Sequence, residues 1–227
     1  MTIEEKRREK AQIARTRMQG CLASVLLPAG MLAGLDTVRD CMRDETLRAY
    51  LGHTLLHEIM PCLGEHRDIL DPVAMAVCKE MEDPAVVQPL ALLLPNAVQA
   101  WAAQALPILK GYAEWDGHLP PCLCMSLSCL IMLFAGTRQE DDGRYTILKN
   151  GSRCFVSGDE EILASFSRLS CDMPPESLAY AALSDRAIWD EDLREIPGLE
   201  DLVTAQLMDL QLLGLLDALA KAWKNHE

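Results

Sequence analysis

The sequence predicts a mainly α-helical protein: a multi-helix bundle with one small β-hairpin near residues 145–156. Half of the 227 residues are apolar but only 5% are aromatic. A core of Leu, Ala and Met favours helices, whereas β-branched and aromatic residues favour strands. Several Asp, Thr and Pro residues have the sequence patterns that are typical of helix caps and first helical turns. The spacing of apolar residues departs from the helical pattern once, around Asn150-Gly151. These two residues lie between two β-prone runs, which is typical of a tight hairpin.

The N-terminal third predicts three helices. Residues 1 to about 27 form the first helix, which has a charged start and closes near Pro28 and Gly30. Asp36 or Thr37 caps the second helix. The third opens at residues 44–45 with an acidic first turn and continues to residue 61.

Prolines mark the expected boundaries in the middle of the chain. Asp71-Pro72 and Asp83-Pro84 each have the pattern of an N-cap followed by proline at the first helical position. The apolar pattern over residues 90–112 predicts helix, with kinks or breaks at Pro95 and Pro107.

The second half predicts helices on both sides of the hairpin. A buried helix begins at residues 120–121 and ends at Gly136, and the polar residues 137–143 predict a loop. Asp159 and Pro174 begin two further helices, and apolar residues at helical spacing predict one long helix over residues 199–223. No internal repeat or long linker divides the sequence, so we expect a single helical domain over residues 1–227.

Charge and cysteine usage narrow the class of protein. The net charge of −13 argues against nucleic acid or an anionic membrane as a partner. Nine irregularly spaced cysteines and a charged start without an apolar run favour free thiols in a reducing, cytoplasmic setting. The most apolar stretch, residues 122–134, is too short to span a bilayer.

Four segments in order resemble one known family. They are AGLDTVRD at 33–40, LHEIMPCL at 56–63, the DP, NAVQAW and LP motifs between 83 and 107, and the segment from 183 to 199 that ends in IPGL. This sequence is therefore similar to the helical C-terminal domain of the mannitol dehydrogenase family, especially its tagaturonate reductase (altronate oxidoreductase) branch. The resemblance implies an α-helical fold of the kind that follows the Rossmann domain in 6-phosphogluconate dehydrogenase-like enzymes.

The resemblance also implies where catalytic residues would lie. The family motif K-x-R-x-L-N-G-A-H-T has a lysine as general base and an asparagine and a histidine that hold substrate oxygens. Aligned without gaps, these positions are Ala14, Gln19 and Leu22 here, and only Gly20 of the motif is retained. A methyl group cannot accept a proton and an isobutyl group cannot donate a hydrogen bond, so no catalytic residue is expected in this chain.

Other substrate-binding positions of the family differ as well. The family's second lysine corresponds to Ala100, its cation to Val87 and the residue beside that cation to Gln88; Asn96 is the one polar match. Together with Ala14, Gln19 and Leu22, these residues define a candidate vestigial pocket. No G-x-G-x-x-G lies between a strand and a helix. We therefore expect no Rossmann domain and no cofactor-binding residue in this sequence, and no bound cofactor.

Three functional hypotheses follow. The preferred one is a stand-alone, non-catalytic relative of this substrate domain that binds a ligand or a protein. The alternative is the helical subunit of a split NAD-dependent hexuronate or polyol oxidoreductase, completed by a separate Rossmann-fold chain. The third is a scaffold that forms homo-oligomers through its first or last long helix.

The histidine and cysteine clusters of the sequence are expected to have structural rather than catalytic or metal-binding roles. His53 and His57, with Glu58 and Cys62 nearby, have helical spacing for a metal, but ordinary partly exposed histidines are expected and no metal site is predicted. Cys122, Cys124 and Cys129 do not share one helix face, so buried thiols are expected. Cys21 has no histidine near it in sequence to make it a nucleophile.

Charged clusters are also expected to be structural. The Asp pair at 141–142 and the acidic run at 190–192 predict a solvated loop and a helix-start cap. Basic residues are concentrated between positions 6 and 17, and an exposed helix face with local ion pairs is expected there. The competing interpretation is that this first helix docks on an acidic partner chain, such as a Rossmann-fold protein.

Overall fold

Helix α7 and the C-terminal half of α1 pack together and form the buried centre of the molecule. The computed structural model describes residues 2–83, 85, 87–149 and 151–224. In that part of the chain the helices are α1 Ile3–Leu32, α2 Val38–Arg43, α3 Glu45–His53, α4 Arg67–Glu82, α5 Ala97–Gln104, α6 Leu106–Asp116, α7 Pro121–Phe134, α8 Glu160–Phe166, α9 Pro175–Ser184, α10 Arg186–Trp189, α11 Leu199–Leu213 and α12 Leu215–Lys224. The strands are β1 Arg138–Gln139, β2 Tyr145–Lys149 and β3 Ser152–Val156. The mainly helical class is confirmed.

Helix α1 continues beyond its expected end. A capping box between Thr2 and Glu5 starts it, and it passes through Pro28 to end at Leu32. The prediction that it closes near Pro28 and Gly30 is wrong. Gly34, with φ +75°, ends it instead, and the Leu35 N–H donates to the Gly30 carbonyl at 3.0 Å, as in a Schellman motif.

The segment after α1 has the expected caps and one unexpected geometry. Thr37 caps α2 and Asp44 caps α3 through side-chain bonds to backbone N–H groups, as the sequence predicts. The third helix does continue to the expected region, but it becomes a π-helix over Thr54–Ile59 and a 3₁₀ turn over Met60–Leu63. Gly64, with φ +70°, stops it.

Two proline-based predictions are wrong. Helix α4 begins at Arg67, so Pro72 lies inside it rather than at its start. Asp83 is the C-cap of α4, and its side chain accepts a bond from the Ala85 N–H at 2.8 Å instead of opening a helix. Pro84 lies outside the described residues.

Prolines in the next stretch break the helix as predicted. A 3₁₀ turn over Leu90–Leu92 is followed by α5 and then by α6, which has Pro107 in its first turn. Helix α7 follows, and nearly every residue of it is buried, including Cys122, Cys124 and Cys129. The expectation of buried thiols in α7 is therefore confirmed.

The predicted hairpin is part of a three-stranded sheet. Strands β2 and β3 pair antiparallel, with Ile147 opposite Cys154. The turn residue Asn150 lies outside the described residues. The residues expected to be only loop contribute β1, which pairs with β2 through Arg138 and Gln139.

The C-terminal region packs α11 against α7 and α9, and α12 against α3. Asp159 caps α8 and Pro174 precedes α9, and Asp192 caps a short 3₁₀ turn at Leu193–Glu195. The single final helix predicted over 199–223 is wrong, because Gly214, with φ +81° and ψ 168°, separates α11 from α12. A helix cannot pass through that backbone conformation.

No helix in the described ranges has both the length and the apolar character needed to cross a lipid bilayer.

Candidate functional site

A cleft lies between α1 and α4 and is closed at one side by the segment that follows α4. Its volume is about 520 Å³. Its walls are mainly apolar and include Ala23, Leu26, Val77 and Met81. Gln19, Glu80 and Gln88 supply polar groups. We call it the α1–α4 cleft.

Helical periodicity explains how α1 and α4 line this cleft. Residues 19, 23 and 26 of α1 fall on one side of the helix, as do residues 77, 80 and 81 of α4. The two helices pack directly against each other. Each helix therefore contributes a stripe of residues to the wall.

The third wall is an extended segment held by backbone bonds. The Val38 N–H donates to the Gln88 carbonyl at 2.9 Å, and the Leu90 N–H donates to the Asp36 carbonyl at 2.8 Å. Lys149 of β2 donates to the Leu35 carbonyl at 2.6 Å and pairs with Asp36 at 2.7 Å. The sheet thus holds the loop that positions Gln88.

The polar end of the cleft is a small hydrogen-bonded group. The Gln19 Nε2 donates to Glu80 Oε2 at 2.9 Å, and Arg15 pairs with the other oxygen of the same carboxylate. The Glu80 carboxylate is therefore already bonded on both oxygens. This group can accept or donate hydrogen bonds to a ligand, but it presents no unpaired base.

The seven residues of the candidate vestigial pocket do not converge in one cavity. Gln19 and Gln88 both line the α1–α4 cleft. Ala14, 2% exposed, lines a separate cavity of about 50 Å³ with Lys10 and Leu63. Leu22 is also 2% exposed and belongs to the hydrophobic core.

The remaining three residues lie on the surface. Val87 and Ala100 are exposed. Asn96 is exposed and has φ +56° at the start of α5, where its N–H donates to the Ser157 carbonyl at 3.0 Å. The left-handed backbone of a non-glycine residue is unusual and is best tolerated by asparagine. Asn96 therefore has a structural reason to be present.

The basic face of α1 pairs with acidic residues of the same chain. Arg7 contacts Asp68 at 3.0 Å, Lys10 contacts Glu65 at 2.8 Å, and Arg15 contacts Glu80. The acidic partners lie on α4 and just before it, rather than in the local i, i+4 positions. These pairs are largely exposed, so each contributes little to stability.

Glu58 is a buried carboxyl group whose bonds to α7 the sequence does not predict. Its Oε1 and Oε2 accept the N–H groups of Cys122 and Leu123 at 2.8 and 2.7 Å. Burial raises its pKa to about 7, and the two N–H donors act in the opposite direction. The carboxylate therefore caps the start of α7, which has no side-chain cap of its own.

A polar pocket of about 370 Å³ opens beside Glu58. His53, His57, Tyr112, Asp116 and His118 line it with Glu58. The rings of His53 and His57 stack with centroids 4.5 Å apart. Sequence spacing suggested Cys62 as their companion. The thiol whose sulfur lies within 4.8 Å of ligand atoms of His53 and Glu58 is instead that of Cys122, 64 residues farther along the chain than Glu58. No short-range pattern predicts that approach.

Cys21 does not have the environment of a nucleophile. It is fully buried, and burial raises its pKa to about 12. The thiolate is the reactive form of cysteine, so the structural role expected for Cys21 agrees with its surroundings.

Comparison with known sequences finds relatives named altronate oxidoreductase, although no family model matches. The chain is 32% identical over 200 residues to an altronate oxidoreductase of Klebsiella pneumoniae strain 342, covering 86% of this chain and 39% of that protein. An altronate oxidoreductase of Yersinia enterocolitica is 30% identical over 207 residues, covering 87% and 40%. The chain thus spans about two fifths of the length of these relatives.

Solved structures show the same fold. The mannitol 2-dehydrogenase of Pseudomonas fluorescens, in a ternary complex with NAD and D-mannitol, matches with a TM-score of 0.76 over 98% of this chain and 42% of that chain, at 13% identity. A substrate-free D-sorbitol dehydrogenase matches with a TM-score of 0.70 over 91% and 40%, at 15% identity.

Proposed function

This chain is a relative of the helical C-terminal domain of the altronate oxidoreductase and mannitol dehydrogenase family, and we propose that it binds a ligand without supplying a catalytic group for oxidation or reduction. The ligand site is the α1–α4 cleft. The observation that carries the proposal is the buried hydrocarbon at Ala14 and Leu22, each 2% exposed, where the family motif has its lysine and histidine.

The surroundings of Ala14 offer no replacement for the missing base. Lys10, one turn away on α1, pairs with Glu65 at 2.8 Å. This contact engages the Lys10 ammonium with a carboxylate of the same chain rather than with a bound substrate. The position of Leu22 is enclosed in the core and has no room for a substrate.

The α1–α4 cleft has the composition of a binding site for a small, mostly apolar molecule. Apolar walls with a few placed polar groups are typical of ligand pockets. The amides of Gln19 and Gln88 suit a ligand with an amide or hydroxyl group, and Glu80 disfavours an anionic ligand such as altronate. The proposed ligand therefore differs from the substrate named for the relatives.

The first experiment measures turnover. We expect the purified protein to give no NAD-dependent oxidation of altronate or mannitol above the buffer background. Robust turnover of either compound would contradict the proposal directly, because this chain would then have to supply a proton-transfer group.

The second experiment measures binding in the cleft. A fragment set of aryl amides is screened by ligand-observed NMR against the wild type and against Ala23→Leu, which fills the cleft. Thr16→Leu is the matched control, because Thr16 lies on the same helix but is exposed and does not line the cleft. Binding that disappears in Ala23→Leu and persists in Thr16→Leu supports the site, whereas equal binding to all three proteins contradicts it.

One observation favours a second candidate, a helical subunit completed by a separate nucleotide-binding chain. The matched part of the relatives is about two fifths of their length, and Gln19, Val87, Gln88, Asn96 and Ala100 are exposed, as residues facing a second domain would be. Co-purification with a Rossmann-fold protein, with activity only in the mixture, would favour this candidate over the first.

A further inference from the structure

The π-helical segment changes which side chains of the third helix lie together. His53 ends α3, and Glu58 lies in the π-helix Thr54–Ile59. Residues five apart point to different sides of an α-helix, but the i→i+5 bonding of a π-helix brings them close to the same side. The local geometry thus directs His53 and Glu58 towards one point. Short π segments inside helices frequently occur at functional sites.

The start of α7 brings a third side chain to the same point. Glu58 accepts the Cys122 N–H, and the Tyr50 hydroxyl donates to the Cys122 carbonyl at 2.7 Å. These bonds fix the Cys122 backbone from both sides. One imidazole nitrogen, one carboxylate oxygen and the Cys122 sulfur all lie within 4.8 Å of one another.

We propose that His53, Glu58 and Cys122 bind one divalent transition-metal ion, and that the ion is Zn²⁺. Nitrogen, oxygen and sulfur donors are together typical of zinc, which favours four-coordinate sites. When the ion binds, the Cys122 thiol gives up its proton to solvent and coordinates as the thiolate. Water supplies the fourth ligand from the adjoining pocket.

The hydrogen bonds of Glu58 are compatible with coordination. A carboxylate has about four lone-pair sites, and the two N–H donors of α7 occupy two of them. Ligating carboxylates are commonly hydrogen-bonded by a second layer of groups that orients them. Here Cys122 and Leu123 supply that layer through their backbone. The negative charge of Glu58 also offsets the positive end of the α7 dipole, which would otherwise repel a cation.

The pocket supplies an entry path and supports the histidine. His53 and Glu58 line it together with Tyr112 and His118. His118 is exposed, so it lies at the rim rather than at the proposed centre. His57 stacks on His53 and restricts the orientation of its ring. A structural role of Glu58 as a cap for α7 predicts none of these features.

The experiment titrates the full chain with metal after dialysis against a chelator. We expect isothermal titration calorimetry to give one Zn²⁺ per chain, and Co²⁺ to give a near-ultraviolet thiolate-to-metal charge-transfer band. His53→Gln and Cys122→Ser should each weaken Zn²⁺ binding by more than the roughly 10–100-fold that the loss of an outer-layer partner costs. Cys122→Ser should also remove the Co²⁺ band.

Two controls separate this centre from the other nearby groups. Cys62→Ser removes the thiol that sequence spacing suggested, and His118→Gln removes the rim histidine; both should bind Zn²⁺ as the wild type does. His53 is partly exposed, so His53→Gln carries the test if Cys122→Ser does not fold, as judged by circular dichroism. Absence of stoichiometric Zn²⁺ binding, or wild-type affinity in His53→Gln, would overturn the proposal. These readouts do not depend on the α1–α4 cleft.

Discussion

The buried carboxyl of Glu58 gives a stability prediction with a defined sign. Burial raises its pKa from 4.5 to about 7 in the folded, metal-free protein. Between these values the unfolded chain has lost the proton and the native protein still holds it, so unfolding releases a proton. The free energy of unfolding therefore falls as pH rises through this window and is constant for this group above about pH 7. The difference between the two pKa values corresponds to a loss of roughly 3 kcal/mol in the free energy of unfolding.

The perturbation that tests this is Glu58→Gln, which cannot ionise. The glutamine offers one good acceptor to the two N–H donors of Cys122 and Leu123, where the acid offers two oxygens. We therefore expect the variant to be about 1 kcal/mol less stable than the wild type at pH 5. At pH 8 it should be the more stable protein by roughly 2 kcal/mol, because it buries no charge.

The assay is urea unfolding of both proteins at pH 5, 6, 7 and 8 in the presence of a chelator. Histidines titrate in the same range, so the quantity to compare is the difference between the two proteins at each pH. Glu114→Gln is the matched control, because Glu114 is exposed on α6 and should leave the pH dependence unchanged. Parallel curves for wild type and Glu58→Gln would refute the reasoning.

Three further predictions concern packing, thiols and surface charge. Gly30→Ala should destabilise the protein by about 1–3 kcal/mol, because a Cβ there would be 2.6 Å from Cys41 Sγ and 2.8 Å from Leu90 Cδ1. Gly52 is also helical but has open space around it, so Gly52→Ala should instead stabilise the protein by up to about 1 kcal/mol. Urea unfolding measures both variants, and equal effects would contradict the packing argument. In a thiol-reagent titration of the native protein, the four partly exposed cysteines should react and the five buried ones only after unfolding, because burial raises a thiol's pKa and the thiolate is the reactive form. Rapid reaction of more than four thiols would contradict this. Arg7→Ala should change the unfolding free energy by less than about 1 kcal/mol, because its contacts with the carboxylate and the carbonyl of Asp68 are made by a side chain that is more than half exposed. A larger loss would contradict this prediction.

The wrong prediction at Pro72 shows that local sequence patterns do not suffice to place a helix start. Pro72 has the pattern of a helix start, but it lies inside α4, where its missing N–H leaves the Asp68 carbonyl without its usual helical donor. Arg7 of α1 donates to that carbonyl at 3.1 Å. The compensation comes from a residue 61 positions away, which no inspection of the local sequence can provide.

In the candidate sites, the sequence likewise identified individual residues, whereas the structure determined which of them lie together. Gln19 and Gln88 were named from the sequence, and both line the α1–α4 cleft, but their grouping with Ala14 and Leu22 reflects positions in a family motif rather than a shared cavity. His53 and Glu58 were also named from their spacing. Their companion Cys122 was not, because the thiol that approaches them comes from the start of another helix.

The sequence by itself determined the helical class, the caps at Thr37, Asp44 and Asp159, the paired strands and the family. These follow from backbone preferences and short-range hydrogen bonds, which act over a few residues and leave a local pattern. Only the tertiary structure decided which helices run through their prolines, where the cleft lies and which thiol meets Glu58. Those outcomes depend on contacts between residues far apart in the chain, and such contacts form only when the helices pack.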